Sequence, residues 1–198
     1  MEWHQTQQLL RLLDNTDGLD LPVCVEHRDK PDFLLSTRSC TIGLETTSFT
    51  DEEVMRADHL HFTRFPNACI TTTGLRDGAH RRSSGEIEEA MFNWTGPWES
   101  VADGADHVAR KILESIRLKR QKFHSADFEK FDQNWLLLTD YRNPFSDYIT
   151  CNILLQHLAA SQRTDALGIE FDRIYICYGR QCFRLRGGRV AAKLDNKI

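Results

Sequence analysis

Long apolar runs are missing from this chain. No stretch approaches the roughly 18 consecutive apolar residues of a membrane-spanning helix, so no membrane partner is expected. Proline is scarce, 5 in 198 residues, and the 27% of charged residues is accompanied by 40% hydrophobic ones; together these exclude wholesale disorder and leave enough for a core. The start, Met1-Glu2-Trp3-His4-Gln5, has neither a basic nor an apolar stretch, so no signal peptide is expected and a cytoplasmic location is inferred. Cysteines at 24, 40, 69, 151, 177 and 182 form no CxxC pair. Without an export signal they read as reduced and mostly buried, with no zinc framework. The phosphate loops GxxxxGK[ST] and GxGxxG are absent, so no nucleotide cofactor is expected, and "GLETTS" is not a GxSxG nucleophile elbow. The net charge of -4 neither demands nor excludes an anionic partner.

What is present is an alternation of short elements. Residues 2–14 have helical apolar spacing, with Trp3, Leu9, Leu10 and Leu13 on one side. Three strands, 21–27, 32–38 and 41–47, follow on short connections that favour antiparallel pairing. Thr50 with Glu53 has the capping-box pattern for a helix from Asp51 towards Leu60, and Ser83 with Glu86 has it for a helix ending near Phe92. The stretch 48–103 reads as an insertion or lid. A long helix at 105–124, a strand at 134–141, a helix at 146–161 and two strands joined at Gly179-Arg180 complete the order. This predicts one α/β domain over 1–198, with a central mixed sheet flanked by helices and an insertion after the third strand.

Two acids sit awkwardly in this plan. Asp32 opens the second strand, and Glu45 interrupts the third on the face shared by Thr41, Gly43 and Thr47. A hairpin near Ser39-Cys40 brings both to one end, with Gly43 leaving space beside Glu45. Paired carboxylates either shift a pKa or recruit a cation, and oxygen donors suit Mg²⁺ or Mn²⁺. The competing reading is structural: Asp32 caps a turn and Glu45 pairs with an arginine. On the long helix, Ala105, Val108, Ala109, Ile112, Ile116 and Phe123 form one stripe, and Lys119 projects inside it. An inward lysine either snorkels to water or meets a buried acid.

The segments "KPDFLL", "IGLETT", "ILESIRLKRQKF", "NWLLLTDY" and "FDRIYICY", in this order, resemble the PD-(D/E)XK nuclease superfamily, which has the restriction-endonuclease-like fold. Pro31-Asp32 matches the family's PD, and Glu45 its second acid. Thr47 stands where the family usually carries lysine. The resemblance implies that this lysine has moved to the following helix, to Lys119 or, second, to Lys122. It implies Asp32, Glu45 and the carbonyl of Thr46 as ligands of Mg²⁺ or Mn²⁺, with Glu2 as an outer carboxylate. The implied activity is metal-dependent hydrolysis of nucleic-acid phosphodiesters, with DNA favoured over RNA. The alternative is a nuclease-fold module that has lost catalysis and binds nucleic acid or a protein.

Basic residues supply candidate phosphate contacts. Arg110, Lys111, Arg117, Arg120 and Lys122 crowd the long helix, His80, Arg81 and Arg82 lie in the insertion, and Arg180, Arg184, Arg186, Arg189 and Lys193 lie near the C-terminus. Arg81, Arg82, Lys111 and Arg120 are taken as nucleic-acid contacts; the competing reading is a solvated charged face. His59 and His61 have the spacing of two ligands on an extended segment, and Trp94 and Trp98 are candidates for base stacking or for packing a Gly-Pro turn. Nothing in the sequence sets the oligomeric state.

Overall fold

The uninterrupted apolar run at 135–138 is the pattern of a parallel strand covered on both faces, and it forms the middle of the sheet. The computed structural model describes residues 2–14, 19–75, 81–93, 100–140, 151–161, 170–178, 181–186 and 189–194. In chain order these form α1 (Glu2–Asp14), β1 (Cys24–His27), β2 (Phe33–Ser36), β3 (Thr41–Ser48), α2 (Glu52–Arg64) and α3 (Ser84–Phe92). There follow α4 (Val101–Phe123), β4 (Gln133–Asp140), α5 (Cys151–Ser161), β5 (Arg173–Tyr178), β6 (Gln181–Arg186) and β7 (Arg189–Leu194). Contacts divide the chain into two units, one of Met1–Phe49 with Ala105–Ile198 and one of Thr50–Gly104.

In the first unit, the described strands form one mixed sheet in the order β1-β2-β3-β4-β5-β6-β7. The first three strands are antiparallel, β3, β4 and β5 are parallel, and β5, β6 and β7 are antiparallel again. Parallel neighbours need long crossovers, and α5 lies between β4 and β5 in sequence. Side chains alternate between two cores. Leu44, Trp135, Leu137 and Tyr175 pack with Leu9 and Leu13 of α1, while Leu136, Leu138, Ile174 and Ile176 pack with α4 and α5. The α4 stripe of Ala105, Val108, Ala109, Ile112, Ile116 and Phe123 is buried in this second core. The result is an α/β architecture, a mixed sheet flanked by helices.

Gly43 does not leave open space. A Cβ there would lie 2.7 Å from Phe131 and 2.9 Å from Pro31, so glycine lets both rings close on the strand. Cysteine also departs from expectation. Cys177 and Cys182, opposite each other on β5 and β6, are joined by a disulfide, and Cys24 and Cys69 are exposed rather than buried.

The second unit packs α2 against α3 through Val54, Ala57, Leu60, Leu75, Ile87 and Met91. Its capping patterns behave differently. Ser83 and Glu86 form the reciprocal box that starts α3, but α2 is capped at Asp51 without a side-chain bond. Glu53, read as a capping residue, is instead buried against Arg82. No helix among the described residues is long and apolar enough to cross a membrane.

Candidate functional site

The site lies where β2 begins beside β3, under the last turns of α4. Phe33 pairs with Leu44 in the antiparallel ladder, so one step further the register sets Asp32 opposite Glu45. Asp32 is half-buried and tied to β3: its Oδ2 accepts from the Thr46 backbone N–H at 2.6 Å and from the Thr46 hydroxyl at 3.0 Å. Both bonds fall on Oδ2, leaving Oδ1 with no hydrogen-bond donor among the described residues. A strand residue sends its N–H and C=O to the same edge, so the Thr46 carbonyl also faces the start of β2.

Glu45 is the partner of Leu136 in the parallel ladder and shares its face, the one covered by α4. Its side chain is only 1% exposed. Two ammonium groups reach it from consecutive turns of α4: Lys119 Nζ and Lys122 Nζ each donate to Oε1 at 2.6 Å. Residues three apart on a helix are surface neighbours, which is why both lysines reach one atom. The other oxygen, Oε2, is buried and has no partner among the described residues. A buried carboxylate oxygen without a donor is costly, and it is the atom a cation would satisfy.

The donor chemistry fits a small hard cation. Glu45 Oε2, Asp32 Oδ1 and the Thr46 carbonyl are oxygen donors of the kind that hold Mg²⁺ or Mn²⁺ beside waters and substrate phosphate. The set is two carboxylates and a carbonyl; no group of three or more His, Cys, Asp and Glu is gathered among the described residues. Thr47 is half-buried on the same strand face as Glu45, and its hydroxyl donates to the Ser48 carbonyl at 3.4 Å.

Around this centre Lys30, Arg28 and Arg120 meet acids other than Asp32 and Glu45. Lys30 is paired with Asp127, whose hydrogen bond raises the Lys30 pKa, with a smaller contribution from the charge of Glu45. The same bond, with one from Ser125, holds Asp127 down to about 2. Arg28 meets Glu129 at 2.8 Å and lies over the Phe131 ring. Arg120 donates to Glu170 at 2.6 Å, with His124 at 3.3 Å on the same oxygen. Burial pushes the Glu170 carboxyl up, but the bonds from Arg120, the backbone and His124 outweigh it and keep it below its ordinary range.

The remaining sequence candidates are dispersed. Arg81 and Arg82 belong to the second unit, where Arg81 pairs with Glu52 at 3.0 Å and Arg82 with Glu53. Lys111 is half-buried on α4, two turns before Lys119. His59 and His61 lie on α2, not on an extended segment; two residues apart on a helix they do not share a face, and His61 Nε2 lies 3.0 Å from the Ala68 carbonyl. The side chain of Glu2, together with His80, Trp94, Trp98 and Arg180, lies outside the described residues, as do the side chains of Arg186, Arg189 and Lys193. Sequence reasoning assigned Thr46 only a carbonyl and missed that its N–H and hydroxyl orient Asp32. It also ranked Lys119 and Lys122 as alternatives, although their spacing already allowed both to meet one acid.

Comparison with known proteins does not add a class: no family model, no curated protein and no solved structure matches the chain.

Proposed function

We propose that Asp32, Glu45, Thr46, Lys119 and Lys122 form a metal-dependent phosphodiesterase site on a restriction-endonuclease-like core, acting on nucleic acid and on DNA ahead of RNA. One observation carries the reading: opposite Asp32, two α4 lysines converge on one oxygen of a buried glutamate whose second oxygen has no donor among the described residues. Bound Mg²⁺ or Mn²⁺ supplies Lewis acidity, polarising the phosphate and lowering the pKa of a water. The chain does the rest. Thr46 fixes the Asp32 carboxylate before the ion arrives, so little reorganisation is needed. Asp32, Glu45 and the Thr46 carbonyl hold the ion. Lys119, anchored in the apolar stripe of α4, presents an ammonium to the attacking water or to charge developing on the phosphate. It takes the part of the lysine that Thr47 lacks.

A second reading, a catalytically inactive binding module, draws on the same bonds: Glu45 Oε1 and Asp32 Oδ2 already have donors from within the chain. The two are separated by incubating labelled DNA and RNA with the protein in Mg²⁺, Mn²⁺ or EDTA. Cleavage that requires the metal and disappears in Glu45→Ala supports the enzyme. Metal-independent binding without cleavage supports the module.

A further inference from the structure

Glu45 Oε1 carries two cations on one negative charge. Lys30 and Arg28 each have a carboxylate of their own, and Arg120 meets Glu170 with His124 on the same oxygen. The Lys119 and Lys122 ammonium groups instead share one, and a divalent ion arriving at Oε2 meets both at close range. Like charges at such distances cost a large part of the binding energy of the ion. Asp32, opposite Glu45, brings the centre to two acids for two lysines, but both ammonium groups crowd one oxygen, and an arriving phosphate offers one of them a better partner than half of a carboxylate.

The two lysines are not equivalent. Lys119 is 18% exposed and set within the apolar stripe, one turn inside the helix. Lys122 is 31% exposed and belongs to the last turn of α4, which closes at Phe123. Beyond it the chain turns, with Ser125 donating its backbone N–H to the Lys122 carbonyl. A flexible four-carbon stem at a helix end can swing to solvent without disturbing the core.

We propose that Lys122 is a substrate-operated gate on the metal site. In the free protein it stays on Glu45 and keeps metal affinity low; when nucleic acid binds, its ammonium moves to a backbone phosphate and the divalent ion loads. The inference rests on the reading that Asp32 and Glu45 hold that ion. It adds an order: nucleic acid first, metal second.

The test measures Mn²⁺ uptake directly, from loss of the free-ion electron paramagnetic resonance signal, with and without a phosphorothioate DNA duplex and corrected for uptake by the duplex alone. Wild type is expected to bind Mn²⁺ at least about tenfold more tightly with DNA than without it. Lys122→Met is expected to bind Mn²⁺ in the free protein about as tightly as wild type does with DNA, and DNA then adds little. Lys122→Arg, which keeps the charge, retains the DNA dependence, as does Lys119→Met, and Glu45→Gln takes up no ion. Thermal melts confirm that each variant is folded; Glu45 keeps Lys119 in the Lys122 variants. Equal Mn²⁺ affinity with and without DNA in wild type, unchanged by Lys122→Met, overturns the gate and leaves the metal site standing. Loss of the DNA dependence in Lys119→Met but not in Lys122→Met also overturns the assignment. DNA binding without Mn²⁺ uptake by any form sinks the metal reading itself, and the gate with it.

Discussion

Two glutamates, one in each unit, are buried against cations, and their hydrogen bonding is completed to different degrees. Glu53 in α2 has both oxygens occupied: the Arg82 backbone N–H donates to Oε1 at 2.6 Å and the Arg82 guanidinium to Oε2. Arg56 extends the network by donating to the Arg82 carbonyl at 2.7 Å. Glu45 in β3 has two donors on one oxygen and, among the described residues, none on the other. A closed pair of the first kind holds a loop to a helix. An open one, with two ammonium groups on one oxygen beside an unsatisfied acceptor, leaves a buried oxygen that a further ligand can satisfy. Glu170 has the same open pattern, with Arg120 and His124 on Oε1 and no partner for Oε2 among the described residues, so what sets Glu45 apart is the second carboxylate, Asp32, opposite it on β2.

Substitutions at the two glutamates break that comparison most sharply. Glu45→Gln is expected to lower metal-dependent cleavage by at least about a thousandfold, since it removes a charged ligand and the anchor of both lysines. Lys119→Met keeps the ion but loses the positioned ammonium, and the rate of bound substrate should fall about a hundredfold, read as kcat at saturating DNA.

In the second unit the effect moves from rate to stability. Arg82→Met keeps the backbone bond to Oε1 but removes the counter-charge from the buried Glu53 carboxylate and should cost about 3 kcal/mol, measured by urea unfolding. The pH dependence has a definite sign. Burial raises the Glu53 pKa, but the Arg82 backbone and side-chain bonds, with the Arg82 and Arg56 charges, outweigh it and set the folded value below 4.5. Its contribution is therefore fully present above 4.5 and disappears as pH falls through the lowered folded value. Unfolding followed over that acid range should show the slope in wild type and a weaker one in Glu53→Gln.

Two smaller effects sharpen the boundary of the site. Gly43→Ala forces a methyl against Phe131 and Pro31, beside Asp32, and should destabilise by about 2 kcal/mol in the same urea assay. Arg120→Gln releases Glu170 but should leave the salt dependence of DNA binding unchanged, because its guanidinium is already engaged. A loss of about one from that slope would return Arg120 to the phosphate contacts.

Much of the centre was legible because it depends on local period. The α4 stripe is a 3.6-residue pattern, and Lys119 was visible as the charge that interrupts it. Strand alternation put Glu45 on the less apolar face, which is the face that α4 covers. What was not legible depends on distant partners. Glu53 lies three residues after Thr50 as a capping box requires, yet Arg82, 29 residues away, binds it instead. Arg120 looked free for phosphate until Glu170, 50 residues on, was placed beside it. The strand β7 went unread: Arg189 and Lys193 were counted only as basic residues near the C-terminus, whereas charges are common on an outermost strand that must avoid further pairing.

The most direct measurement is cleavage of one labelled DNA in Mg²⁺ by wild type, Glu53→Gln and Glu45→Gln, each shown folded at the assay temperature. The account predicts cleavage by the first two, abolished by EDTA, and none by Glu45→Gln. Cleavage by Glu45→Gln at the wild-type rate would contradict it.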